Sequence, residues 1–329
     1  MNAVLEVRDA AVRYALARGR TIAAVDGVTL SLAEGEIVGL VGESGCGKSS
    51  LGRAILGLVR LASGQVFWKG RRIDSLPRRE FRALRGEMQL VFQDPHACFD
   101  PRMTLAESIA EPLRALAAGL EESARTVRVE SALDEVGLDR EVGARYPHQA
   151  SGGQLQRAGI ARALIVAPQF MVCDEPVSAL DVSVQGQIVN LLARVRRERG
   201  LACLFISHNL AVVARLAERI LVMYRGRIVE AAAREAIVRA PRHPYTRLLL
   251  DSVPDPHPQA ARKLLAAVRE SPAPLADAGA DGCPFASRCP WVLARCRTSA
   301  PLLRPVADQQ LVACHRAEEW PKGLTPAAT

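Results

Sequence analysis

The octapeptide Gly42-Glu43-Ser44-Gly45-Cys46-Gly47-Lys48-Ser49 constrains this chain more than any other feature. It fits the spacing G-x-x-x-x-G-K-[ST]. An apolar run, residues 37–41, precedes it and reads as a buried strand, and apolar residues at Leu51, Ile55 and Leu56 follow at helical spacing. Strand, glycine loop and helix are the context in which such a loop cradles phosphates. The glycines let backbone N–H groups wrap the anion, and the helix N-terminus adds partial positive charge. In this arrangement Lys48 reaches the β- and γ-phosphates and the Ser49 hydroxyl holds Mg²⁺. A chance glycine turn would not come with both flanks. Cys46 reads as the occupant of a small-residue slot. A redox-sensing thiol is the alternative, but it needs a depressed pKa that nothing in the sequence signals.

A phosphate loop alone names no reaction, and two further stretches supply more. In QFMVCDEP (169–176) a four-residue apolar run ends in Asp174-Glu175. That pattern predicts a buried parallel strand with two carboxylates at its C-terminal end, where α/β sheets bind ligands. Asp174 there supports Mg²⁺ and Glu175 polarises an attacking water. In YPHQASGGQLQRAGIARAL (146–164), Ser151-Gly152-Gly153-Gln154 opens a helical pattern. Ser151 is a good N-cap, and the two glycines bare backbone N–H groups at the helix start. Two anion-binding devices in one chain suggest a nucleotide shared between two protomers.

Taken in order, these motifs resemble the nucleotide-binding domain of ABC (ATP-binding cassette) transporters over residues 1–240. Gly42–Ser49 matches the Walker A loop. Gln93 in VFQDP matches the Q-loop, Ala150–Gln154 the signature, Phe170–Glu175 Walker B, Asp181 in SALD the D-loop, and His208 in FISHNL the switch histidine. Tyr14 matches the adenine-stacking aromatic. The signature departs from the usual pattern at Ala150, where Leu is common, and at Leu155, where Arg is frequent. These changes bear on packing of that helix start or on coupling to a membrane partner. Ser50 stands for the commoner Thr and keeps the hydroxyl.

The resemblance implies an ABC-type P-loop NTPase core of α/β class, with an antiparallel β N-terminal part and an inserted helical subdomain at about 94–165. A small irregular extension follows at 241–329. It also implies two ATP molecules, each with Mg²⁺, sandwiched between head-to-tail cassettes. ATP would contact Tyr14, Gly42, Ser44, Gly45, Cys46, Gly47, Lys48, Ser49 and Ser50 of one protomer, and Ser151, Gly152, Gly153 and Gln154 of the other. Ser49, Gln93 and Asp174 would serve Mg²⁺, Glu175, His208 and Gln93 the hydrolysis, and Asp181 the link between sites. Partners would be a second, homologous or identical ATPase subunit, two integral membrane permease subunits and an extracytoplasmic solute-binding protein. The place would be the cytoplasmic face of the inner membrane.

Composition narrows the alternatives. The formal net charge is +8, which suits nucleic acid or an anionic surface. The basic residues are scattered, however, and aromatics make up only 4% of the chain, too few for a base-stacking platform. Nucleic acid is therefore not an expected partner. Non-transport cassettes carry tandem cassettes or long coiled coils, and neither pattern is present. No window of 18 apolar residues exists, so a cassette fused to its own membrane domain is not expected. The N-terminal residues do not read as a signal peptide.

Downstream, RHPYTRLLLDSVP (242–254) predicts a short helix begun by Pro244. Its HPYT stretch resembles the extension of dipeptide, oligopeptide and nickel importer ATPases. Import of peptides is the resulting expectation, with nickel or glutathione as alternative cargo. Four of the eight cysteines, Cys283, Cys289, Cys296 and Cys314, follow with spacing C-x₅-C-x₆-C-x₁₇-C. This is not the paired C-x₂-C of zinc ribbons. Four thiolates can still hold Zn²⁺ or an iron–sulfur cluster, whereas free cysteines packed as small apolar residues are the plain alternative. The family resemblance places a [4Fe–4S] cluster ahead of Zn²⁺, and either ahead of disulfides.

Overall fold

The computed structural model describes residues 3–16, 19–117, 119–251, 281–307 and 309–319. The strands are β1 (Ala3–Ala15), β2 (Thr21–Ala33), β3 (Ile37–Val41), β4 (Ser63–Trp68), β5 (Arg71–Arg72), β6 (Met88–Val91), β7 (Phe170–Asp174), β8 (Ala202–Ser207), β9 (Arg219–Tyr224), β10 (Arg227–Ala233), β11 (Arg304–Ala307) and β12 (Gln310–Val312). The helices are α1 (Lys48–Ile55), α2 (Arg78–Leu84), α3 (Leu105–Leu116), α4 (Glu122–Glu135), α5 (Arg140–Gly143), α6 (Gly152–Leu164), α7 (Val182–Arg199), α8 (Leu210–Leu216), α9 (Arg234–Arg239), α10 (Pro244–Asp251) and α11 (Ala294–Thr298). None of the described helices is long and apolar enough to cross a membrane. The chain divides into two compact units.

The first unit comprises Met1–Val12, Thr29–Ile37 and Ser49–Ser207. Its parallel strands β6, β7 and β8 run in register, with Leu90 beside Val172 and Val172 beside Leu204. Every residue of β7 and β8 is buried, as the apolar runs FMVC and ACLFI, each followed by one polar residue, suit strands covered on both faces. Helix α1 lies close to this sheet because Gly52 lacks a side chain. A Cβ there would stand 2.9 Å from a Val172 methyl and 3.1 Å from one of Ile206. An antiparallel sheet, in the order β2-β1-β4-β5, forms the N-terminal part. Helices α3 to α6 pack on one another. Helix α3 is started by a full capping box in which Thr104 and Glu107 satisfy each other's backbone N–H groups.

The second unit comprises Arg13–Val28, Val38–Lys48 and His208–Thr329. Strand β3 pairs in parallel with β9, and β9, β10, β12 and β11 continue as antiparallel neighbours. The expected irregular extension thus contributes two strands. Its apolar residues Leu311 and Val312 pair with Ala231 and Glu230 of β10 and give that strand a neighbour. The helix predicted over 242–254 is observed as α10, and the prolines from Pro254 to Pro274 lie outside the described residues. Glu230 is fully buried, and burial raises its pKa. The extension supplies its hydrogen bonds. The Arg242 and His243 backbone N–H groups and the Gln310 side-chain amide donate to its carboxylate at 2.7, 3.0 and 2.6 Å.

An aromatic cluster ties the extension to the rest of this unit. Tyr224 at the end of β9 stands 4.6 Å from Tyr245 of α10 and 5.3 Å from Phe285, centroid to centroid. Phe285 is 1% exposed. Truncating a ring so enclosed removes its transfer free energy and leaves a cavity. Phe285→Ala should therefore cost about 3–5 kcal/mol of stability. Chemical denaturation will read this as a lowered midpoint for the phase that includes the extension, and an unmoved midpoint would contradict the packing described.

Candidate functional site

Within the second unit, the loop after β3 is shaped by contacts as well as by its glycines. Gly47 has φ +108°, and a Cβ there would lie 1.9 Å from the Ala24 carbonyl oxygen, so only glycine fits. The Lys48 ammonium is buried and donates to the carbonyls of Gly42 and Glu43 at 2.8 and 3.0 Å. Cys46 is 6% exposed, and burial pushes its thiol pKa up, which is the opposite of what a redox-sensing thiolate needs. Ser44 and Gly45 are exposed, Gly47 and Ser50 half-buried. Tyr14, near the end of β1, is 39% exposed. His208 directly follows β8 in the chain and is exposed.

Ser49, the next residue after Lys48, belongs to the first unit. The close seat of α1 on β7 brings its hydroxyl to Asp174, where it donates to Oδ1 at 2.7 Å. Asp174 is 2% exposed. Arg53, one turn further along α1, places its guanidinium 3.8 Å from Asp174 Oδ2. Sequence inspection missed Arg53, although the i, i+4 spacing from Ser49 would have placed both on one helix face. Glu175, 8% exposed, is reached by Gln93, whose side-chain amide donates to Oε2 at 3.4 Å. Four residues named from sequence, Ser49, Gln93, Asp174 and Glu175, are thus joined in two hydrogen-bonded pairs on adjacent positions of one strand end.

Glu175 has φ +47°, a left-handed conformation that non-glycine residues rarely adopt. Its N–H donates to the Ile206 carbonyl of β8 at 3.0 Å, and its carbonyl accepts from the Ser178 hydroxyl at 3.1 Å. The surroundings thus hold the backbone in a costly geometry at a carboxylate aimed out of a strand end.

The 151–154 segment is a separate device in the first unit. Ser151 caps α6 by accepting from Gln154 N–H at 3.3 Å, and Gln154 Oε1 returns the bond to Ser151 N–H at 3.0 Å. Gly152 and Gly153 are the first residues of α6.

Comparison with known proteins agrees with this geometry. Residues 25–178 match the ABC transporter family, and residues 229–296 match the oligopeptide/dipeptide transporter C-terminal region. The oligopeptide transport ATP-binding protein OppF of Escherichia coli (strain K12) is 45% identical over 318 residues, covering 92% of this chain and 95% of the relative. OppF of Salmonella typhimurium has the same identity and coverage. The chain belongs to the oligopeptide-type family of ABC-transporter ATP-binding proteins. Among solved structures, a dimeric ATP-binding cassette in a post-hydrolysis state, bound to ADP and Pi, aligns with TM-score 0.65 and 28% identity. That match covers 70% of this chain and 98% of the cassette. The protein cbiO1 of Clostridium perfringens, part of the ABC transporter complex cbiONQ, aligns with TM-score 0.63, 25% identity and coverage of 72% and 91%.

Of the two sequence departures at the start of α6, burial bears on Leu155, and nothing in the structure explains the one at Ala150. Leu155 is 0% exposed, so an apolar side chain suits the inward face of α6, and Ala150 is half-buried. All eight cysteines are free thiols, and the four in the extension line a single enclosed cavity of about 20 Å³ together with His243, Phe285 and Trp291. Burial pushes Cys289 up to about 12 and Cys314 up to about 11. At Cys314 the neighbouring Cys283 and Cys296 add to the effect of burial. Among the described residues, no three His, Cys, Asp or Glu side chains come together at metal-ligating distance.

The backbone at Glu175 gives a test that separates conformation from side-chain chemistry. Both Glu175→Ala and Glu175→Gly remove the carboxylate, but only glycine adopts the left-handed conformation without cost. The glycine variant should be the more stable of the two by about 1 kcal/mol in denaturant titrations. Equal stability would show that the conformation is not costly here.

Proposed function

We propose that this chain is the ATP-hydrolysing subunit of a membrane importer of di- and oligopeptides, acting on the cytoplasmic face of the inner membrane. The observation that carries the reading is the joined set Ser49–Asp174 and Gln93–Glu175 at the end of β7, next in sequence to a loop built for phosphates. The peptide cargo is supported by the match of residues 229–296 and by the names of the relatives. Residues 1–240 form the cassette, with 94–165 as its helical part, and 241–329 form the accessory extension.

In this mechanism the loop N–H groups from Gly45 to Ser50 cradle the β- and γ-phosphates, and Lys48 leaves the carbonyls of Gly42 and Glu43 to meet them. The Ser49 hydroxyl, Asp174 and Gln93 would hold Mg²⁺, which neutralises charge developing on the transferred phosphoryl group. Glu175 accepts the proton of the attacking water. His208 contacts the γ-phosphate, and Tyr14 stacks on adenine. Ser151, Gly152, Gly153 and Gln154 of a second cassette close over the same nucleotide, with Asp181 linking the two sites. The dimeric cassette among the solved structures supports this pairing.

A groove of about 770 Å³ in the first unit supports a seat for the permease. Leu58, Phe81 and Phe92 give it apolar walls, Arg162 and Asp94 a polar rim, and Gln93 reaches it too. A permease helix seated there would move Gln93, and with it the hydrogen bond to Glu175. Engagement by the membrane subunits and readiness for hydrolysis would then be one event. A solute-binding protein would deliver peptide on the other side of the membrane.

The four late cysteines are a site for a [4Fe–4S] cluster, with Zn²⁺ second. The reading rests on the family resemblance: the four thiols line one cavity, but at about 20 Å³ it is too small for the cluster as it stands, and among the described residues no three ligating side chains come together. Such a group would cross-link the extension. Protein purified without oxygen should contain iron by elemental analysis, and Cys→Ser changes at 283, 289, 296 and 314 should each lower it. One zinc per chain, or no metal at all, would displace the cluster.

The transport reading is tested with the complex isolated from its host membrane and rebuilt in vesicles. Oligopeptide uptake should need ATP, and Glu175→Gln should slow hydrolysis by about 10²- to 10⁴-fold while ATP still binds. Near-normal phosphate release in that variant would remove Glu175 from the role of base, and ATP-driven uptake of something other than peptide would change the cargo.

A further inference from the structure

The C-terminal extension touches the phosphate loop directly, all within the second unit. Arg288 donates from both terminal nitrogens to the Glu43 carboxylate, Nη1 to Oε2 and Nη2 to Oε1, each at 2.8 Å. The Tyr245 hydroxyl accepts the Glu43 backbone N–H at 2.7 Å. We propose that Arg288 and Tyr245 are positioning residues that clamp the phosphate loop at Glu43, so that the extension helps to set the affinity for ATP. The proposal rests on the ATP-site reading given above.

A lone ion pair near the surface contributes little. This one differs in three ways. It is bidentate, which fixes orientation as well as distance. Its guanidinium lies over the rings of Tyr224 and Phe285, 5.9 and 5.8 Å from their centroids, so the Arg288 side chain is itself held. And the Glu43 backbone is gripped independently by Tyr245, which is 1% exposed and packed against both of those rings. Side chain and main chain of one loop residue are therefore fixed from a single aromatic platform.

Glu43 also matters to the lysine. The Lys48 ammonium rests on the carbonyls of Gly42 and Glu43, so the clamp fixes the peptide units from which Lys48 must move to reach phosphate. A loop already held in shape loses less freedom when it closes on an anion. Releasing the clamp should then weaken ATP binding and leave the chemistry at Asp174 and Glu175 alone. The expected signature is a raised KM with little change in kcat.

The test uses the full chain for Mg-ATP binding by calorimetry and the vesicle-embedded complex for kinetics. Arg288→Gln should weaken binding and raise KM by roughly 5- to 10-fold, with kcat changed less than about 2-fold. Amide exchange across residues 42–48 should quicken. Exchanging the charges, Glu43→Arg together with Arg288→Glu, should recover most of the lost affinity. Should Arg288→Gln fail to fold, Tyr245→Phe decides, since it keeps the ring and removes only the acceptor for the Glu43 N–H. Affinity and exchange equal to the parent in these variants, or no recovery in the exchanged pair, would overturn the clamp. A parent chain that does not bind ATP would instead overturn the ATP reading itself.

Discussion

The hydrogen bond from Ser49 to Asp174 depends on how closely a helix can approach a sheet. Helix α1 reaches β7 only because Gly52 presents no side chain to Val172 and Ile206. Burial of β7 and β8 on both faces supplies the driving force, since an apolar strand covered on one side alone would leave that surface in water. Polar groups then collect where the buried strands end. Asp174 is the last residue of β7, and Glu175 turns out of the sheet with a left-handed backbone. A larger residue at position 52 would lift the helix, and the hydroxyl and carboxylate would no longer meet.

Much of this was legible in the sequence because it is local. The strands at residues 37–41 and 170–174 coincide with the apolar runs read from sequence, and the loop and the 151–154 segment carry their own turn and cap chemistry. The capping box of Ser151 and Gln154 needs only four consecutive residues. What was not legible depends on partners far apart in the chain. The bonds from Arg288 and Tyr245 to Glu43 join residues separated by 245 and 202 positions, and no periodicity reports them. Strands β11 and β12 have four and three residues, too short to show alternation, and Pro305 in the first argues against a strand when read alone. The four late cysteines, grouped from sequence as one site, do line a single cavity, but among the described residues no three of them come together at metal-ligating distance.

The extension and the loop are therefore coupled by packing. Phe285, Tyr245 and Tyr224 hold one another, and Arg288 lies within a few residues of both Phe285 and Cys289. Glu230 works in the same direction. It is a buried carboxylate whose hydrogen-bond donors, Gln310 and the backbone of Arg242 and His243, all come from beyond residue 240. Without them an acidic group would remain in the interior with too few partners.

The short strands of the extension also settle where the sheet stops. Strand β10 is almost wholly buried, and left at the margin it would offer a row of unpaired backbone groups to any passing strand. Strand β12 takes up that side, and β11, with Arg304 and Pro305, becomes the outer strand of the described sheet. A brief strand carrying a charge and a proline is a poor template for further pairing. The outer strand of this sheet is thus one of the kinds of edge that offer little template for edge-to-edge pairing.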